Sequence, residues 1–139
     1  MRKKEDINPG GATSKAVAAE SYESDIQNRI RVALSDYGCV FRTNAGDFWQ
    51  GEKVYSQEFK QPVLIHLRRI CGLPKGFSDL LFCGYDGRVA FIEVKQPHGK
   101  IRPEQADFLK LMQSYGYAAG IVRSPEDALK ICNNNPYRR

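Results

Sequence analysis

Apolar residues recur at helical spacing in two parts of the chain. A stripe over residues 26–37 places apolar side chains on one face at each turn, so it predicts an amphipathic helix. This helix begins at Ser14 or Ser21, and Gly38 ends it. A second stripe over residues 103–115 opens with proline and is followed by glycine, which predicts another helix of the same kind.

Short apolar runs bounded by turn residues alternate with these helices and predict a central sheet. The predicted strand 89–95 begins with four residues, 89–92, that are apolar on both faces, as in a buried strand, and the preceding Asp-Gly predicts a tight hairpin turn. Strand, helix and strand over residues 89–122 form a βαβ unit, whose strands are expected to be parallel. The other predicted elements are strands over 39–42, 80–83 and 118–122 and a short helix over 124–132.

Residues 47–75 have the least decisive pattern. Two apolar runs around Tyr55 and Ile65 favour a hairpin or an arm. Lysines and arginines are interleaved there with aromatic residues, which suits a DNA contact about as well as a solvated loop face. The sequence leaves the role of this segment open.

The composition is that of one globular domain. The chain has 139 residues, 42% of them hydrophobic and 11% aromatic, enough for a core without disulfide or metal staples. We expect a flexible N-terminal arm over 1–13, a single domain over 14–132 and a basic C-terminal tail over 133–139. No apolar run is long enough to cross a membrane, and the charged N-terminus lacks the apolar segment of a secretory signal, so a cytoplasmic protein is expected.

Charge and cysteine content narrow the choice of partner and metal. The formal net charge of +5 is compatible with nucleic acid without requiring it. The four cysteines form no Cys-x-x-Cys pair and there are only two histidines, so a zinc site is not expected. Reduced, partly buried thiols are the simplest interpretation of the cysteines.

Two carboxylates and a lysine lie at the ends of two adjacent predicted strands. Glu93 and Lys95 are two positions apart and therefore share a face of their strand. If the two strands pair as a hairpin, Asp79 approaches Glu93, and two such carboxylates repel each other unless something positive lies between them. Mg²⁺ prefers these oxygen ligands, and a lysine beside it can help to activate water. The pattern indicates a site for phosphodiester hydrolysis.

Simpler interpretations compete at two of these positions. A Glu-x-Lys pair is often two solvated charges, although charged residues that directly continue a buried strand are unusual without a partner. Glu23 lies at the edge of the first apolar stripe, where a functional carboxylate and a first-turn glutamate favoured by the helix dipole fit the spacing equally. Glu20 lies one turn earlier and is an alternative to it.

Five separated elements occur in the chain: Glu23-Ser24-Asp25-Ile26-Gln27, Arg42-Thr43-Asn44-Ala45-Gly46, Gly76-Phe77-Ser78-Asp79, Glu93-Val94-Lys95 and Gln105. Together they resemble the virus-type replication-repair nuclease (VRR-NUC) group of the PD-(D/E)xK superfamily, over about residues 20–131. Two departures are visible. Ser78 stands where a proline usually precedes the aspartate, and Arg102 stands where a Ser or Thr usually caps the second helix.

The resemblance implies an α/β core with a mixed central sheet flanked by helices, in the order α-β-β-β-α-β. It implies that Asp79, Glu93 and the Val94 carbonyl bind Mg²⁺ or Mn²⁺. Lys95 then positions or activates the attacking water, and Glu23 reaches the metal from the first helix through water.

Four further positions gain expected roles from the resemblance. Gln105 orients Lys95 or the water from the second helix. Arg42 and Asn44 are weaker candidates for phosphate or loop contacts, and Arg102 loses a helix cap or exchanges it for a phosphate contact.

The implied activity is a Mg²⁺- or Mn²⁺-dependent, structure-selective DNA endonuclease. Small stand-alone members of the group, often phage-encoded, resemble homodimeric resolvases of four-way (Holliday) junctions, so a bacterial host cytoplasm is the expected location. The alternatives are a flap or nicking endonuclease, a restriction-type endonuclease, and a non-catalytic nucleic-acid-binding domain that kept the fold. The preferred DNA structure and the number of metal ions stay open.

Overall fold

The structure, a computed structural model, describes residues 14–133, with side chains from residue 22 onward. The predicted N-terminal arm over 1–13 lies outside the described residues, and so does the predicted tail over 133–139 except Asn133, which ends the last helix. The elements are α1 (Ser14–Leu34), β1 (Gly38–Arg42), β2 (Asp47–Ser56), β3 (Gln61–Cys71), β4 (Leu80–Gly84), β5 (Val89–Val94), α2 (Pro103–Ser114), β6 (Ala118–Val122) and α3 (Pro125–Asn133). None of the helices within this part of the chain has the length and hydropathy of a membrane span.

Four strands form a mixed sheet in the order β1-β4-β5-β6. β4 runs antiparallel to both β1 and β5, whereas β6 runs parallel to β5. β4 and β5 form the predicted hairpin, and β5, α2 and β6 form the predicted βαβ unit. In this unit α2 is the long crossover connection that two parallel strands need. The prediction of an α/β fold with a mixed sheet and flanking helices is confirmed.

Strand alternation divides the sheet into two differently covered faces. Leu80 and Phe82 on β4 turn toward α1 and α3, with which they share one core, and both are fully buried. Phe91 on β5 turns to the other face and meets Phe108 of α2, with ring centroids 5.6 Å apart. α2 packs on β5 and β6.

β2 and β3 form a separate antiparallel ribbon, which we call the arm (residues 47–71). The two strands contact each other extensively, and no contact of comparable extent joins either of them to another described element. Backbone hydrogen bonds hold the root of the arm, where Gly46 N–H donates to the Leu73 carbonyl at 2.9 Å and Gly72 N–H to the Gly46 carbonyl at 3.0 Å. The hairpin predicted over residues 47–75 therefore exists and projects from the domain.

Candidate active site

Asp79 and Glu93 meet where β4 begins and β5 ends. Leu80 pairs with Ile92 in the antiparallel register, so Asp79 and Glu93, the next residues outward, lie opposite each other. Asp79 Oδ2 accepts a hydrogen bond of 2.9 Å from Val94 N–H, which holds this carboxylate against β5. The structure thus brings together the two carboxylates that the sequence singled out.

Glu93 is fully buried, yet only one of its carboxylate oxygens has hydrogen-bond partners. Its Oε1 accepts a bond of 2.6 Å from Gln105 Nε2 and lies 3.3 Å from Lys95 Nζ. Its Oε2 is buried without any partner. Buried polar atoms almost always have a hydrogen-bond partner. Because carboxylate oxygens commonly bind metal ions, a metal ion at this position would give the oxygen its partner.

The charge balance of the pair is unfavourable without a cation. Burial raises the pKa of Glu93 from 4.5 to about 8, and the charge of Asp79 contributes to the rise, although Lys95 opposes it. Near neutral pH the metal-free pair therefore retains a proton that two ordinary carboxyls would have released. A divalent cation at the same place removes the need for that proton.

The available donors fit Mg²⁺ or Mn²⁺. Asp79, Glu93 and the Val94 carbonyl would hold the ion, and water would complete its shell, as is usual for Mg²⁺ on one or two carboxylates. Between residues 14 and 133 no group of three or more His, Cys, Asp or Glu side chains could hold a metal. Glu23 is half-buried on α1 and does not form such a group with the pair, so its predicted contact through water stays a prediction.

Gln105 connects the start of α2 to the carboxylates. Its Oε1 accepts a bond of 3.1 Å from the Arg102 N–H, and its Nε2 donates to Glu93. The amide was expected to orient Lys95 or the water, whereas in the structure it contacts the Glu93 oxygen that Lys95 also faces. Arg102 stands at the N-cap without a side-chain cap bond, as expected from the lost Ser or Thr.

A family model of the VRR-NUC domain matches residues 21–126, most of the chain. The chain belongs to the VRR-NUC family. This family is of nuclease type, so the carboxylates and Lys95 lie in a domain that acts on nucleic acid. A solved structure described as a VRR_NUC domain is similar at 18% identity, with a TM-score of 0.48 over 81% of this chain and 96% of that one. A search of curated proteins found no match.

Two residues of this VRR-NUC domain that were predicted to contact DNA, Arg42 and Asn44, are exposed and also have local hydrogen-bond partners. The Arg42 guanidinium donates to Asn28 Oδ1 at 2.8 Å and to Ser24 Oγ at 3.4 Å, so it ties β1 to α1. Asn44 is exposed, and its carbonyl accepts the Leu73 N–H at 3.2 Å at the root of the arm. A phosphate contact by either residue stays a prediction.

Arg123 is a site residue that the sequence reasoning missed. Its guanidinium donates to the carbonyls of Gln96 and Gly99, which holds the loop directly after Lys95. The signal was present, since Arg123 follows β6 as Lys95 follows the parallel neighbour β5. Residues just beyond the carboxyl ends of parallel strands meet at one edge of a sheet.

A cleft of about 310 Å³ opens beside Asp79, and two cations line it. Lys75 and Arg102 stand at its wall, with Lys75 Nζ 3.6 Å from Glu104 Oε1. A larger cavity of about 710 Å³ lies between α1 and β1, away from the carboxylates. The chemistry of the lining, and not cavity size, therefore locates the site.

Gly76, which lines this cleft, packs closely against the backbone at the start of α2. Its φ is +92°, and an added Cβ would lie 2.6 Å from the Glu104 carbonyl oxygen. Gly76→Ala is expected to lower the free energy of unfolding by at least about 2 kcal/mol, because left-handed strain and a backbone clash act together. Chemical denaturation measures this change.

Gly87→Ala is the matched control. Gly87 also has a positive φ, of +85°, but an added Cβ would meet nothing within 4 Å. It is expected to lose only about 1 kcal/mol, from backbone strain alone. Equal losses in the two variants would show that Gly76 makes no essential contact with α2.

Proposed function

We propose that this VRR-NUC domain is a Mg²⁺- or Mn²⁺-dependent endonuclease that recognises DNA by its structure and cuts four-way junctions. The observation that carries the proposal is the buried Glu93 carboxylate, whose unpartnered Oε2 belongs to a group that also faces Asp79 and Lys95. A carboxylate pair with a lysine alongside is the donor set that metal-assisted phosphodiester hydrolysis uses.

Each residue of the site has a defined task in this proposal. A bound divalent cation supplies positive charge for the scissile phosphate and a lowered pKa for water. Val94 N–H fixes the Asp79 carboxylate, and the Gln105 amide fixes that of Glu93. The Lys95 side chain is only 11% exposed, and its ammonium group orients the attacking water or stabilises charge that develops on the phosphate.

Hydrolysis proceeds by in-line attack of water on phosphorus. The bond from phosphorus to the 3′ oxygen breaks, which leaves a 3′-hydroxyl and a 5′-phosphate. Lys75 and Arg102, at the wall of the cleft, would contact the phosphates that flank the cut. Selectivity would come from DNA shape and deformability more than from base edges.

A four-way junction has two equivalent strands to cut, and a two-fold homodimer presents two sites with matching symmetry. We therefore include a homodimer in the proposal. Bacterial cytoplasm, with a phage or prophage gene as one origin, is the setting in which such a resolvase would act.

A panel of synthetic DNA substrates tests the proposal. The wild-type chain is expected to introduce paired nicks in a mobile four-way junction with Mg²⁺ or Mn²⁺, at a rate at least about tenfold above that on duplex, flap or splayed-arm DNA. Asp79→Asn should lose this cleavage. Glu104→Gln, a carboxylate change in the same cleft, is the matched control and should keep it.

Three other results would each contradict the proposal. Preferred cutting of flaps would make the domain a flap nuclease, and cutting of duplex at one sequence would make it restriction-type. Identical products from wild type and Asp79→Asn would assign the cutting to a contaminant. If calorimetry also shows no Mn²⁺ binding, a non-catalytic nucleic-acid-binding domain replaces the enzyme.

A further inference from the structure

The arm carries large apolar side chains that are open to solvent. Of the 18 large hydrophobic residues that are exposed in residues 22–133, eight lie in the arm. Two of them are aromatic residues of β2, Trp49 and Tyr55, and each is 60% exposed. Contiguous exposed apolar surface commonly marks a binding site, so we expect the arm to bind a partner.

The two exposed rings lie on one face of the arm, together with cations. Alternate residues of a strand share a face, so Trp49, Lys53 and Tyr55 point the same way. The register adds Arg69, which lies opposite Trp49, and Leu64, which lies opposite Lys53. We call these five residues the aromatic face.

The opposite face of the arm has a different character. Phe48 and Ile65 on that face are less exposed than the two rings, at 40% and 36%. Arg68, a cation of that face, donates to Gln50, and Glu52 adds a negative charge. Within the two strands, strongly exposed rings therefore occur only on the aromatic face, where a lysine lies between them.

The root of the arm belongs to the wall of the candidate active site. Ala45 and Gly46, which lead into β2, line the cleft beside Asp79. Thr43 N–H donates to the Asp79 carbonyl at 3.0 Å, so the segment that enters the arm is bonded to the residue that carries the carboxylate. A DNA strand with a phosphate in the cleft therefore lies next to the arm.

We propose that the aromatic face of the arm binds unpaired bases of DNA, with Trp49 and Tyr55 stacked on bases and Lys53 at a phosphate. The two rings are separated by about 20 Å along β2, so they can stack on different bases of one strand. The inference deepens the proposed function and rests on it only for the cut beside the arm, because binding of unpaired bases needs no cleavage.

Charge and ring exposure together favour a single strand over a duplex. Residues 47–71 contain four Lys and Arg against three Asp and Glu. Binding to the backbone of a duplex depends on many cations that neutralise phosphates, and the arm has little excess of them. Stacking on an aromatic ring instead uses the flat face of a base, which is covered by neighbouring bases in a duplex and accessible in a single strand.

The lysine between the two rings argues against a protein as the partner. Trp and Tyr are enriched at protein interfaces, but Lys is depleted from their buried centres. Lys53 is exposed and lies between Trp49 and Tyr55 on β2, so a protein that covered both rings would also bury its ammonium group. A DNA phosphate gives this group a partner of opposite charge.

The fluorescence of Trp49 tests the inference, because Trp49 is the single tryptophan of the chain. Oligothymidylate of about 20 nucleotides, added to the full chain without metal, should quench this emission through base stacking. It should also bind at least about tenfold more tightly than a blunt duplex of the same length.

Tyr55→Ser is expected to raise the dissociation constant for oligothymidylate about tenfold, because one base loses its stacking partner. Tyr115→Ser is the matched control. Tyr115 is 62% exposed and follows the last turn of α2, at the end remote from Arg102 and the cleft. It should bind like the wild type, and equal unfolding midpoints will show that both variants keep the fold.

The salt dependence of binding tests the phosphate contact separately. Lys53→Gln should reduce the slope of log affinity against log salt concentration by about 0.7, the value for one phosphate contact on a single strand. Lys110→Gln, at an exposed position of α2, is the matched control and should leave the slope unchanged. An unchanged slope in Lys53→Gln would contradict the assigned contact.

Three other results would overturn the inference. They are an unchanged Trp49 emission, equal affinity for duplex and single strand, and a Tyr55→Ser variant that binds like the wild type. If DNA leaves the emission unchanged while Tyr55→Ser weakens self-association in ultracentrifugation, the arm is a protein interface. Quenching without cleavage of any DNA would keep the inference and remove the proposed function, and junction cleavage without quenching would do the reverse.

Discussion

Replacing Glu93 with glutamine is expected to abolish cleavage and, at the same time, to stabilise the metal-free protein. Glutamine keeps the Oε1 acceptor for Gln105 and the volume of the side chain, but it removes a buried charge beside Asp79. Activity should fall about a thousandfold or more, which corresponds to about 4 kcal/mol of lost transition-state stabilisation. The melting temperature at pH 8 without metal should rise by about 5 °C or more.

The opposite signs of the two effects make this variant informative. A residue that only supports the fold would lose stability and activity together, whereas a strained metal ligand loses activity and gains stability. Glu104→Gln is the control, because Glu104 lines the same cleft and is partly exposed. Retained cleavage in Glu93→Gln, or a lowered melting temperature, would remove Glu93 from the proposed metal site.

The stability of the metal-free protein is expected to fall as the pH rises toward 8. The folded-state pKa of Glu93 is raised to about 8 from 4.5, so the folded chain holds a proton that the unfolded chain has released between these values. This contribution to the free energy of unfolding is complete below pH 4.5 and is lost as the pH rises through about 8. Urea denaturation at pH 5, 6.5 and 8 measures the loss, and Glu93→Gln should flatten it.

Metal binding should release the same proton. Mn²⁺ titrated into the wild type at pH 7 is expected to show a heat that depends on the ionisation enthalpy of the buffer, with affinity that increases up to about pH 8. Glu104→Gln should behave like the wild type, and Glu93→Gln should bind at least about tenfold more weakly. Binding without proton release would mean that the carboxylate pair is already ionised, or that the ion binds elsewhere.

Single helices, single strands and tight turns could be predicted because the residues that specify them are neighbours in the chain. The stripe over 26–37 and the apolar run 89–92 predicted α1 and β5 correctly, since burial on one helical face or on both strand faces leaves a pattern in neighbouring residues. The Asp-Gly turn predicted the hairpin that sets Asp79 opposite Glu93. Periodicity and turn chemistry were sufficient for these elements.

The partners of polar side chains could not be predicted in the same way. Gln105 was expected at Lys95 or the water and contacts Glu93, because the start of α2 is placed by packing against Gly76. Arg123 contacts the loop after Lys95 because β5 and β6 pair side by side. Its partner Gln96 lies 27 positions away in the chain. Such contacts depend on how elements pack, which no local pattern records.

The sequence by itself determined the helices, the four strands of the central sheet, the βαβ unit and the candidate carboxylates with their lysine, because the signals for each of these lie in residues close together in the chain. The tertiary structure alone decided that one Glu93 oxygen is buried without a hydrogen-bond partner and that large apolar side chains of the arm, such as Trp49 and Tyr55, are exposed. An alternating apolar pattern looks the same in a strand that is covered by a neighbouring element and in one that is exposed. Only the packing of the folded chain distinguishes the two.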